Sequence, residues 1–158
     1  MPFINQSNKS PTDMKITNAQ AINMAATLSD AIEPDAVDKM THDEKNRCVY
    51  RMGKTHGKLI SEMKAFNKQD EALRDAAIKR DKKGNKVKAR VKDEETGEWK
   101  DSETSFQWGD FETYQTERGK LLDEEIEVYT VSFPLEWLEG NPHLGALASA
   151  CAELIEDE

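Results

Sequence analysis

The chain has 158 residues, 37% apolar and 34% charged, with a formal net charge of −9. That length accommodates one domain with a real core, needing neither disulfides nor metals. No run approaches the ~20 apolar residues of a membrane helix, and the opening MPFINQSNKS lacks the charged-then-apolar order of a secretory leader.

Charge is unevenly spread. Residues 93–158 hold 19 acidic and 3 basic side chains, whereas residues 1–92 hold 12 acidic and 19 basic ones. Such asymmetry points to pairing between halves, an acidic surface for a basic partner, or solubility alone. Cys48 and Cys151 lie far apart and read as two buried reduced thiols, consistent with a cytoplasmic protein.

In chain order, residues 1–13 are polar and carry Pro2 and Pro11, which predicts a flexible arm before one α-rich domain over 14–158. Thr17 and Gln20 have capping-box spacing and open a helix to about Ile32, with Ile22, Ala25, Ala26 and Leu28 on one side. Glu33-Pro34 ends it. Thr41 and Glu44 repeat the box spacing before a long helix over about 41–80. Its apolar seam runs through Val49, Met52, His56, Leu59, Met63, Phe66, Asp70, Leu73 and Ala77. So long a rod needs an antiparallel neighbour or a second copy of itself, so a homo-oligomer through this seam is one expectation. Gly53 and Gly57 suggest a kink or the close approach of another helix.

Residues 86–100 predict a projecting basic β-hairpin. Val87, Ala89 and Val91 alternate with Lys86, Lys88, Arg90 and Lys92, and Glu94-Glu95-Thr96-Gly97 supplies the turn before Trp99. A third helix is expected over about 105–124, carrying Trp108, Phe111, Tyr114 and Leu121. Ile126–Phe133 reads as a strand stopped by Pro134, and Leu135–Leu138 as a helical turn. Asn141-Pro142 then starts an amphipathic helix with Leu144, Leu147, Ala148, Cys151, Leu154 and Ile155 on one face. Glu156-Asp157-Glu158 sits at the unfavourable end of that helix dipole, so its last turn should fray. The fold class is therefore α+β, mainly α.

Catalytic and metal-binding patterns are missing from the sequence. His42, His56 and His143 are not paired at ligand spacing, and His42-Asp43-Glu44 point in different directions on a helix, so His42 reads as part of its cap. No nucleophile elbow, phosphate loop or calcium loop is present. The expectation is a non-enzymatic protein with no cofactor and no metal.

Two surfaces remain. The acidic half, with Asp123, Glu124, Glu125 and Glu127, suits the basic groove of a protein partner, anchored by Trp108, Phe111, Tyr114 and Trp137 unless these form the core. The segment 79–92 carries eight Lys or Arg against Asp81 alone, and Lys82, Lys83, Lys86, Lys88, Arg90 and Lys92 are its candidate nucleic-acid contacts, with Trp99 to stack on a base. Aromatic residues are not interleaved with those cations in the sequence.

The stretches Phe111-Glu-Thr-Tyr114, Leu121-Leu-Asp-Glu-Glu-Ile-Glu-Val128 and Phe133-Pro-Leu-Glu-Trp-Leu138, with the Met-Lys-Ile at Met14, resemble a group of small uncharacterised tailed-bacteriophage proteins. That group has no established activity, so the resemblance implies origin and carries no functional residue. It implies a bacterial host cytoplasm, or a virion. The leading expectation is an inhibitor or modulator of a host nuclease or defence complex, binding a host or viral protein through the acidic surface. A virion or assembly component is the second, and a nucleic-acid-binding accessory protein using residues 79–92 the third.

Overall fold

A computed structural model describes residues 12–156; the arm expected at the N-terminus lies outside the described residues as far as Pro11. The architecture is α+β and mainly helical, as the sequence pattern indicates. The chain divides into two compact units. One comprises residues up to Ala65 and from Asp123 onward, the other Phe66–Leu122.

In the first unit, β1 (Thr12–Thr17) runs antiparallel to β4 (Glu125–Thr130), with Thr12 opposite Thr130 and Thr17 opposite Glu125. Thr12 and Asp13 thus belong to a strand rather than to the expected arm. The capping box forms at the head of α1 (Asn18–Ala31). The Gln20 N–H donates to Thr17 Oγ1 at 3.1 Å, and the Thr17 N–H donates to Gln20 Oε1 at 2.9 Å. Ala25 and Leu28 are buried and Ile22 is half-buried, but Ala26 faces solvent; Ala21 and Met24 complete the buried stripe instead. The helix stops before Glu33-Pro34, and Pro34 heads the short α2 (Pro34–Asp38).

The long helix α3 (Lys45–Ala77) has 33 residues and is about 50 Å long. It starts later than expected because Thr41 is otherwise engaged: its N–H donates to the Glu139 carbonyl at 3.0 Å. His42 does the capping, its Nδ1 accepting from the Glu44 N–H at 3.0 Å. The buried stripe also sits one step round from the expected seam. Cys48, Met52, Thr55, Leu59 and Met63 are buried in this unit, while Val49 and His56 are half-buried at its edge. Thr55 is tolerated there because its hydroxyl accepts the Val131 N–H at 3.1 Å. Nothing lies within 4 Å of where a Cβ would stand on Gly53 or Gly57, so no close helix approach depends on them.

Beyond β4, β5 (Phe133–Pro134) pairs in parallel with β6 (Ile155–Glu156), and Leu135–Leu138 forms the expected helical turn as a 3-10 segment. Gly140 has φ +87°, and a Cβ there would collide with the Lys39 carbonyl oxygen, so only glycine fits. Buried Asn141 donates from Nδ2 to the Ala31 carbonyl at 3.0 Å and accepts the His143 N–H at 2.9 Å.

The C-terminal helix is shorter than expected. α5 (Leu144–Ala150) gives way to a 3-10 turn at Ala152–Leu154 and then to β6. Ala148 is exposed. Glu156 is buried rather than frayed, while Asp157 and Glu158 of the expected fraying turn lie outside the described residues: Glu156 Oε1 accepts from Ser132 Oγ at 3.1 Å and lies 3.8 Å from Arg51. The Ser132 hydrogen bond, the Arg51 ion pair and the β5 pairing hold Ile155–Glu156 extended against the amphipathic helical pattern. The core of this unit includes Ile16, Met24, Leu28, Val128, Phe133, Leu138, Leu147 and Leu154.

The second unit contains Phe66–Ala77 of α3, the hairpin β2 (Lys88–Lys92) and β3 (Trp99–Phe106), and most of α4 (Phe111–Asp123). The hairpin falls where the alternation predicts it. Its return strand, however, runs to Phe106, through the residues where a helix was expected to begin. Phe106 pairs with Lys88, and the Gln107 N–H donates to the Val87 carbonyl at 2.8 Å, so this stretch stays in the ladder. Helix α4 starts only after Asp110, whose carboxylate accepts the Thr113 N–H at 3.1 Å as an N-cap. Trp108 therefore lies in the link before the helix, bridged to Ile78.

Candidate functional site

The four acidic candidates all lie in the first unit and all are exposed. Directly opposed residues of an antiparallel ribbon share a face, and alternate residues repeat on it. The outer face of the β1–β4 ribbon therefore carries Glu125, Glu127 and Tyr129 against Thr17, Lys15 and Asp13. Ile16 and Val128 point the other way, into the core. Lys15 stands 4.0 Å from Glu127, with both side chains more than half exposed, a pair of little net strength. Asp123 and Glu124 continue the acidic run at the entry to β4. Residues 123–158 hold ten carboxylates and neither Lys nor Arg.

The proposed aromatic anchors separate into two kinds. Trp137 is buried, with the guanidinium carbons of Arg47 and Arg51 lying 5.3 and 5.0 Å from its ring. Tyr114 is also buried, and its hydroxyl donates to Asp70 Oδ1 at 2.8 Å. Neither ring is free to anchor a partner. Trp108 and Phe111 keep 41% and 43% of their surface exposed and pack on Tyr114 and on each other, with Trp108 4.9 Å from Phe111 and 4.8 Å from Tyr114.

Asp70, in the middle of the expected apolar seam, is the hub of the second unit. Besides Tyr114 it accepts from Arg118 Nε at 3.1 Å and Arg74 Nη2 at 3.4 Å, and its side chain is 13% exposed. A half-buried carboxylate with one hydroxyl and two guanidinium donors is well satisfied and ties α3 to α4. Beside it, Arg74, Phe111, Tyr114 and Arg118 line a shallow cleft of about 380 Å³.

The basic candidates all belong to the second unit and all are exposed. Lys86 and Arg80 share Asp75, whose carboxyl is held below its ordinary range chiefly by the hydrogen bond from Lys86. Arg90 lies 3.5 Å from Asp101. Among the described residues, no carboxylate comes within 4.0 Å of Lys82, Lys83, Lys88 or Lys92. The tip of the hairpin is acidic. There Asp93 accepts the Glu95 and Thr96 N–H groups, which hold its carboxyl below the usual value.

The seam residues Met52, Leu59, Met63 and Phe66 are buried within this chain, and Val49 and His56 are partly so, which leaves little of the seam for a second copy. Burial pushes the Cys48 and Cys151 thiols up to about 12, so neither is a nucleophile at neutral pH. Among the described residues no three His, Cys, Asp or Glu side chains converge as a metal ion would require. No helix among them is long and apolar enough to cross a membrane. No family model, curated protein or solved structure matches the chain.

Sequence reasoning passed over Asp13 and Tyr129 on the acidic ribbon face. The signal was present in Glu125, Glu127 and Tyr129 at period two, but placing Asp13 opposite Tyr129 needed the register.

Proposed function

We propose that the protein is a non-enzymatic binding protein that engages a basic protein surface through the outer face of the β1–β4 ribbon. The observation that carries this reading is the joint placement of Asp13, Glu125, Glu127 and the 40%-exposed Tyr129 on one ribbon face, with Lys15 the one cation among them. Glu125 and Glu127 stand about 6.7 Å apart along the strand, two residues of extended chain. Carboxylates at that repeat suit the phosphate-binding groove of a nucleic-acid enzyme, and charge complementarity speeds encounter and fixes register. A partly exposed tyrosine adds an amphipathic anchor of the kind that dominates binding energies. The phage origin that the resemblance implies would place the partner in a bacterial host; from the acidic face we take that partner to be a host nuclease or defence complex, which the protein would inhibit or modulate in the bacterial cytoplasm.

The test is affinity capture from nuclease-treated bacterial lysate, comparing the native chain with Glu125→Gln/Glu127→Gln. The expected result is near-stoichiometric recovery of one host enzyme at low salt, weakened at moderate salt and lost in the variant. Recovery that is equal for both chains, or of the bait alone, overturns the reading.

A further inference from the structure

The hairpin brings together cations and aromatic rings that lie far apart in sequence. Its register sets Lys92 opposite Trp99, Arg90 opposite Asp101 and, after a shift between Lys88 and Arg90, Lys88 opposite Phe106. Opposed residues share a face. One face therefore reads Phe106, Lys88, Arg90, Lys92 and Trp99, with Asp101 beside Arg90 as its one carboxylate, and Lys86 adds its ammonium 5.3 Å from the Phe106 ring. Val91 and Lys100 take the other face.

The spacing of this row is set by the strand. Lys88, Arg90 and Lys92 recur every two residues, about 6.7 Å apart, comparable to the phosphate repeat of a single strand pulled out of its stack. Trp99 is 62% exposed, and its backbone carbonyl accepts from Arg90 Nη2 at 3.1 Å, which fixes the Arg90 head against the return strand. Lys88 and Lys92 are the row's uncommitted cations, and the Arg90–Asp101 pair is exposed and easily exchanged. Cations in file beside an open indole match what unpaired nucleotides need, a contact for each phosphate and a flat ring for a base. A duplex keeps its bases stacked and offers Trp99 nothing. Glu94, Glu95 and Glu98 at the hairpin tip limit the site to a short segment.

We propose that this hairpin face binds a short single-stranded nucleic acid, with Lys88, Arg90 and Lys92 on successive phosphates and a base stacked on Trp99. The site lies within Phe66–Leu122 and shares no residue with the acidic ribbon, so its failure would leave the protein-binding reading untouched.

The experiment measures fluorescence anisotropy of labelled oligodeoxyuridylate, oligouridylate and a duplex of equal length against the full chain at several salt concentrations. Both single strands should bind at low salt in preference to the duplex, with a log–log salt slope of about −2 for three phosphate contacts. Lys88→Gln/Lys92→Gln, at two exposed positions, should flatten that slope by about 0.7 for each cation removed. Trp99→Leu should weaken binding about ten-fold without changing the slope, and Trp99→Phe should restore part of the loss. Preference for one sugar assigns the natural ligand to RNA or DNA, and equal binding assigns recognition to phosphates and bases; both support the site. No binding at low salt, binding untouched by these variants, or equal binding of the duplex or of polyglutamate would overturn it.

Discussion

The first unit buries Met24, Leu28, Met52, Leu59, Phe133, Leu138, Leu147 and Leu154 together, whereas the second buries Phe66, Ala77, Tyr114 and Leu121 and closes around the Asp70 carboxylate. The units differ equally in charge. Residues 1–65 and 123–158 hold 18 acidic and 9 basic side chains, while residues 66–122 hold 13 of each. The whole net charge of the protein thus resides in the better-packed unit. Apolar burial is non-directional and accumulates with area. A net intramolecular hydrogen bond contributes only about 0.5–1.5 kcal/mol, or about 1.5–3 when a charged group takes part. The second unit should accordingly open locally at a lower free energy than the first.

The largest expected effect probes the dry core. Leu28→Ala removes a fully buried side chain and should cost about 2–5 kcal/mol, read as a lower urea midpoint. A loss under about 0.5 kcal/mol, the usual range for surface changes, would erase the contrast between the units.

Next in size is Asp70→Asn, which leaves Arg118 and Arg74 without their shared carboxylate. It should cost about 1–3 kcal/mol. Amide exchange should quicken in α4 and the Phe66–Ala77 part of α3, while the Ile16, Val128 and Leu147 amides keep their protection. Uniform acceleration throughout the chain would show that the two units open as one.

The smallest effect belongs to the hairpin turn. The Asp93 carboxyl titrates below its ordinary value of 3.8 because it accepts the Glu95 and Thr96 N–H groups. A depressed folded value means that the stabilisation is present above the unfolded value and is lost as pH falls through the folded one. The Glu95 and Thr96 amide resonances should therefore shift together only below about pH 4. In Asp93→Ala that acid-range shift should vanish, with β1 and β4 unaffected. A shift that persists in the variant would assign the titration to another carboxylate.

Several elements were legible because their causes are short-range. The Thr17–Gln20 box, the stop at Glu33-Pro34, the turn at Glu94–Gly97 and the 3-10 segment at Leu135–Leu138 each depend on neighbours a few residues away. The helix predicted from Ser105 and the continuous helix to Ile155 were misread for the opposite reason. Both stretches have a helical pattern, yet Phe106 is held by Lys88 and Glu156 by Ser132 and Arg51. Distant polar partners outweighed local periodicity.

The candidate sites divide along the same line. Composition alone determined that one stretch would be acidic and another basic, and alternation determined which residues of a strand share a face. Only the tertiary structure decided that Tyr114 and Trp137 are buried, that Tyr129 joins Glu125 and Glu127 opposite Asp13, and that Trp99 stands beside Lys92. Charge and period two are properties of a segment by itself. Burial and cross-strand register arise only when segments far apart in sequence meet, and no single window of the chain contains both partners.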